Sequence, residues 1–216
     1  MCVKSQLHVE SLFYRLSLGD EVNFRLTYSG PLKAASQTDT RRKEKHAMRL
    51  DFDKQLDVLF GDDELLQKPF TLKDPKFGET IAELGTKYRR GDYAFWPIVR
   101  KSMHMVCDLD ILFLRRGVPG KVIAGNGDLD NRVKVVFDAL RVPADENELR
   151  GTPPHPNRGI LCLLEDDSLI TGFRVTSDRI LESDKPETKN DVRLIIGVEI
   201  KVTKITQENL GYLRHF

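Results

Sequence analysis

The sequence predicts an α+β fold: a mixed β-sheet with helices packed on one face. Three observations carry this. Val192, Leu194, Ile196, Val198, Ile200 and Val202 alternate with Arg193, Glu199, Lys201 and Thr203 without a break, the pattern of a strand covered on one side. Met105, Cys107, Leu109, Ile111 and Phe113 alternate against Asp108 and Asp110 in the same way. Two runs with apolar residues at helical spacing interleave with the strands, but without a regular βαβ repeat.

At 216 residues and 40% hydrophobic content the chain suits one domain spanning 1–216 with a real core. Its net charge of +1 excludes a protein that coats nucleic acid by bulk charge, so any such surface is local. No apolar stretch is long enough to span a membrane. The first residues lack the apolar core and small-residue cleavage site of a signal peptide. Cys2, Cys107 and Cys162 are few and far apart, and no CxxC spacing occurs, which points to a reducing, cytoplasmic setting.

Residues 1–20 read as an N-terminal extension. Val22, Phe24, Leu26 and Tyr28 then alternate with polar residues as a strand, ended by Ser29-Gly30-Pro31. Met48, Phe52, Leu56 and Leu59 repeat at helical spacing up to Gly61, a natural residue just past a helix end. The basic cluster Arg41, Arg42, Lys43 and Lys45 falls at the start of that helix. Positive charge there opposes the macrodipole, which suits either a solvated first turn or an arm that contacts phosphates. Basic and aromatic residues interleave through Lys87, Tyr88, Arg89, Arg90, Tyr93, Phe95 and Trp96. Such a run either packs its rings on the core or stacks bases, with Arg89 and Arg90 on phosphates. Asp108-Leu-Asp110 is explained by strand alternation alone.

Val133, Val136, Phe137 and Leu140 mark a second helix, starting near Asn131, with Asp130 or Asn131 as its cap. Asp130, Lys134 and Asp138 stack along its polar side, where Lys134 and Asp138 could form a surface ion pair. Four prolines in the enlarged loop at 142–159 argue against regular structure there. A short apolar run, 160–164, leads to Glu165-Asp166-Asp167, and a strand follows from Leu169 to about Thr176. Hard divalent cations take several carboxylate oxygens from different parts of a chain, which Asp128, Asp130 and the later pair can offer. An EF-hand is excluded, because a loop starting at Asp128 has Val133 at position 6 and Ala139 at position 12.

Asp128-Leu-Asp130-Asn131-x-x-Lys134-x-x-x-Asp138-Ala-Leu140, followed by Asp166-Asp167-x-x-Ile170, resembles the signature of the RusA family of Holliday-junction resolvases. The motif covers about a fifth of the chain. The resemblance implies metal-binding catalytic acids at Asp128, Asp130 and Asp167, and a catalytic lysine at Lys134. It also implies Mg²⁺, with Mn²⁺ as a substitute, a homodimer, and branched DNA such as four-way junctions as the substrate. The loop between helix and acidic pair, and the sequence before the motif, are longer than in compact members of that family. Two other readings stand beside it: a non-catalytic DNA-binding or interaction protein of the same fold, and a different two-aspartate metal enzyme acting on nucleotides. The second would want a glycine-serine phosphate loop before the acids, and none is evident.

Overall fold

The computed structural model describes residues 22–33, 38–62, 79–116, 129–152, 158–181, 191–206 and 208–209. The N-terminal extension, Asp128 and His155 lie outside the described residues. In chain order the elements are β1 (Val22–Pro31), α1 (Asp39–Asp62), α2 (Ile81–Lys87), β2 (Phe95–Val99), β3 (Met105–Arg115), α3 (Leu129–Leu140), β4 (Ile160–Leu164), β5 (Ile170–Arg179) and β6 (Asp191–Val202).

The fold is α+β. A four-stranded mixed sheet has the order β1-β6-β3-β5, and a two-stranded sheet pairs β2 with β4. The unbroken alternation of β6 places it between β1 and β3, antiparallel to both. Its Val192, Leu194, Ile196, Val198 and Ile200 are all buried, as are Met105, Cys107, Leu109, Ile111 and Phe113 of β3. One face of the sheet is therefore covered. On that side Phe52 of α1 meets Tyr28 edge-on, and Phe137 of α3 meets Phe173 at 5.3 Å between ring centres. β4, the short apolar run, is buried throughout and pairs in parallel with β2. Tyr88, Tyr93 and Phe95 are buried, so these rings of the basic–aromatic run serve the core. Trp96 packs against Gly159, where even a Cβ would stand 2.4 Å from the indole.

Several boundaries differ from expectation. β1 continues through Gly30 and Pro31, both of which pair with β6. Helix α1 begins at Asp39, which does place the basic cluster at its start, although its first turns have no apolar repeat. Those turns are held by pairs one turn apart, Arg42 with Asp39 and Arg41 with Glu44, and by tertiary contacts described below. Gly61 lies inside α1, which runs on to Asp62. α3 begins at Leu129, so Asp130 sits in its first turn rather than capping it. The proline-rich loop is partly ordered by packing: Glu146–Leu149 forms a 3₁₀ turn, with Val142 and Leu149 buried.

The path through β3, α3 and β5 positions the candidate site. β5 runs parallel to β3, with Arg115 opposite Arg179. α3 returns antiparallel to both. Phe137 lies on Phe173, while Arg132, five residues earlier, lies near Arg115, whose charge adds to burial in lowering the Arg132 pKa. The C-terminal end of α3 is pinned by a bridge from Arg141 to Leu164 of β4.

Candidate active site

Helix α3 carries the motif, and its register decides which side chains reach the surface. Val133, Val136, Ala139 and Leu140 are buried, which leaves Asp130 and Lys134 exposed one turn apart. The Asp130 carboxylate accepts the Asn131 N–H at 2.6 Å. Asp167 is also exposed, at the start of a 3₁₀ turn (Asp167–Leu169) capped by Asp166, whose carboxylate accepts the Ser168 N–H at 2.9 Å. The Ser168 bonds, with further help from Lys101 and Arg141, hold Asp166 below the usual carboxylate range.

Asp130 and Asp167 occupy opposite ends of α3. Asp130 is in its first turn, whereas Asp167 follows Leu164, the residue bridged to Arg141 just past its last. Eleven residues of helical rise separate Asp130 from Arg141, about 16 Å. Among the described residues no three His, Cys, Asp or Glu side chains come close enough to hold a metal. Asp130 and Asp167 thus lie towards opposite ends of α3, and Asp128, the third acid of the motif, is outside the described residues. The oxygen chemistry of these carboxylates suits Mg²⁺.

Lys134 opens onto a cleft of about 380 Å³ between the end of β1, the first turns of α1, and α3. The same cleft is lined by Arg41, Arg42 and Lys45 of the basic cluster. Adding Lys33 and Arg141, six cationic side chains face Glu44, Asp138 and Glu148, so the cleft is locally positive in a nearly neutral chain. Many of these charges are committed. Arg41 and Lys33 share Glu44, at 2.6 and 3.3 Å, and Arg42 takes Asp39 at 3.1 Å. Lys45 reaches Glu148 at 2.8 Å and Asp138 at 3.4 Å. Arg141 reaches the same two acids, at 3.0 and 2.6 Å. Asp138 is thus taken by Arg141 and Lys45, and the surface pair with Lys134 that the spacing allows is not formed. Among the described residues Lys134, Lys43 and Arg89 make no ion pair. Arg90 is turned inward instead, its Nε donating to the carbonyl oxygens of Pro143 and Ala144 at 2.8 and 3.2 Å.

The network around Asp138 and Glu148 joins α1, α3 and the ordered part of the loop. Burial raises the Glu148 pKa, but hydrogen bonding from Lys45 and the charges of Lys45 and Arg141 outweigh it and bring the group to about 2. Beneath it Arg49 is fully buried and donates to the Asp138 carbonyl at 2.7 Å, a cation at the negative end of α3. Sequence reasoning missed Glu148, Arg141 and Arg49. The Asp145 side chain, which accepts the Asn147 and Glu148 N–H groups, was the local sign that the loop turns here.

No protein-family model matches the chain, and no curated protein sequence matches it.

Proposed function

We propose that the protein is a Mg²⁺-dependent endonuclease acting on branched DNA, as its similarity to RusA-type resolvases implies. The observation that carries this reading is the convergence of two groups expected from separate parts of the sequence. The basic residues of α1 and Lys134 of the DxDN…K motif line one positive cleft. A duplex arm lying across the mouth of that cleft would be held through its phosphates by Arg41, Arg42 and the nearby exposed Lys43. Lys134 would meet the scissile phosphate as a fixed positive charge one turn from Asp130. When bound, Mg²⁺ would lower the pKa of its water and offset charge developing on the phosphate.

Asp128 and Asp130 would supply oxygens from one chain. Asp167 would add a further oxygen, and the resemblance implies a homodimer. Among the described residues no helix is long and apolar enough to cross a membrane, and the proposed setting is the cytoplasm.

The test is a synthetic four-way junction incubated with and without Mg²⁺. Wild type is expected to cut only with the metal. Asp130→Asn is expected to bind the junction with near wild-type affinity and not cut it, since the phosphate contacts survive. Binding without cleavage by wild type at any Mg²⁺ or Mn²⁺ concentration would favour a DNA-binding protein of the same fold.

A further inference from the structure

The face of the main sheet turned away from α1 and α3 carries no second layer among the described residues: every residue on it is half-buried or exposed. Across its middle, Thr27, Ile195, Leu112 and Thr176 share one row, and Leu114 extends the apolar strip one row further. Ile195, on a central strand, is 37% exposed. The row on the other side reads Arg25, Gly197, Asp110. Neither Arg25 nor Asp110 makes an ion pair among the described residues. They stand two strand spacings apart, about 10 Å, which is the width of a helix. Gly197 leaves a gap between them.

We propose that residues 9–16 of the N-terminal extension dock on this face as an amphipathic helix lying over β6. Val9, Leu12, Phe13 and Leu16 fall at i, i+3, i+4 and i+7, one helical stripe. Glu10 and Arg15 flank that stripe on opposite sides. Gly19 suits the turn that follows. The connection from Leu16 to Val22 spans at most about 20 Å, so Leu16 lies towards the start of β1 and the helix runs antiparallel to that strand. Eight helical residues rise about 12 Å, close to the four-residue step along β6 from Gly197 to Arg193. Leu16 and Phe13 then fill the gap over Gly197, and Leu12 and Val9 cover Ile195 and Leu114.

Handedness decides which charges meet. Thr27 has its side chain on this face, and its N–H and carbonyl point to the outer edge, where the Gln55 amide of α1 holds both at 2.8 Å. For an L-residue this makes β1 the right-hand strand when the face is viewed with β1 running upward, with β6 and β3 to its left. A right-handed helix running down the face, apolar stripe inward, turns Glu10 towards β1 and Arg15 towards β3. Glu10 thus meets Arg25, and Arg15 meets Asp110. A helix running the other way would set Glu10 beside Asp110 and Arg15 beside Arg25. The short connection and the charges select the same direction, which marks this segment of the chain as the occupant.

Hydrogen exchange on the full chain, without DNA or metal, reads the docking directly. The amides of residues 9–16 should exchange at least about tenfold more slowly than in a peptide of residues 1–21 alone. Ile195→Asp should return them to the peptide's rate while β6 keeps its own protection, the sign that the variant is folded. Arg15→Glu alone and Asp110→Arg alone should each speed exchange about two- to fivefold, and the double variant Arg15→Glu/Asp110→Arg should reverse that loss. Should β6 lose protection in Ile195→Asp, the charge exchange decides. Peptide-like exchange in wild type, a segment indifferent to Ile195→Asp in a folded protein, or a double variant no slower than either single would each overturn the inference. So would protection that grows with protein concentration, as docking from a second copy would give.

Discussion

Lys134 and Asp167 belong to one proposed site but should fail differently when changed. Asp167→Asn removes a charge and a strong oxygen donor, so cleavage should demand more Mg²⁺ and recover in part with Mn²⁺. Lys134→Ala removes positive charge beside acids, so metal demand should hold or fall while the rate drops about 10²–10³-fold. Cleavage rates across a Mg²⁺ titration separate the two, and a Lys134→Ala protein that matches wild type throughout has no role for that lysine in the reaction. Asp53 shows what a buried acid does elsewhere in the chain. It is 1% exposed, grips Arg158 through both oxygens at 3.0 and 2.8 Å, and accepts the Leu161 N–H at 2.8 Å. It ties α1 to the start of β4. Asp53→Ala leaves the buried Leu161 N–H unpaired and Arg158 with only Asp57, at 3.6 Å, and the Gly159 carbonyl, at 3.2 Å, and chemical denaturation should show a loss of about 2–3 kcal/mol.

Among the elements, the ordered part of the enlarged loop is fastened to both helices by Glu148. Its folded pKa of about 2 lies below that of a free glutamate, so the folded state favours the ionised form. The stabilisation is complete above about pH 5 and disappears as pH falls towards 2. Glu148→Gln should therefore cost about 2–3 kcal/mol at pH 7 and flatten the acid limb of a stability–pH profile. The legibility of the elements follows their physics. β3, α3 and β6 bury one face each, so apolar periodicity marks them in the sequence. The first turns of α1 are held by Arg42–Asp39, Arg41–Glu44 and the distant Lys45–Glu148 pair, none of which leaves an apolar pattern. α2 buries little, but Thr80-Ile-Ala-Glu83 is a capping box, with Thr80 and Glu83 bonding reciprocally at 3.2 and 2.7 Å. That signal is readable where periodicity is weak. For the site, the motif located Asp130, Lys134 and Asp167 in the sequence. It did not reveal that a helix stands between the two acids, because separation in space depends on how α3 crosses back over the sheet. The basic cluster was visible, whereas its pairing with Glu44, Asp138 and Glu148 arises only when distant segments pack.

At the scale of the whole molecule, a net charge of +1 makes any attraction for DNA a property of one surface. Junction affinity should fall steeply between roughly 50 and 200 mM salt, and Lys134→Ala should reduce the log–log slope by about one, the signature of a lost phosphate contact. Gln55 of α1 accepts the Thr27 N–H and donates to the Thr27 carbonyl, both at 2.8 Å, at the β1 edge of the main sheet. A sheet with two bare edges can add copies without limit, as fibrils do. Here the β1 edge is covered at Thr27, where the Gln55 amide from the chain's own helix bonds both backbone groups. Gln55→Ala removes that cover. Light scattering should then rise with protein concentration where wild type stays flat, as the uncovered edge takes strands from other copies.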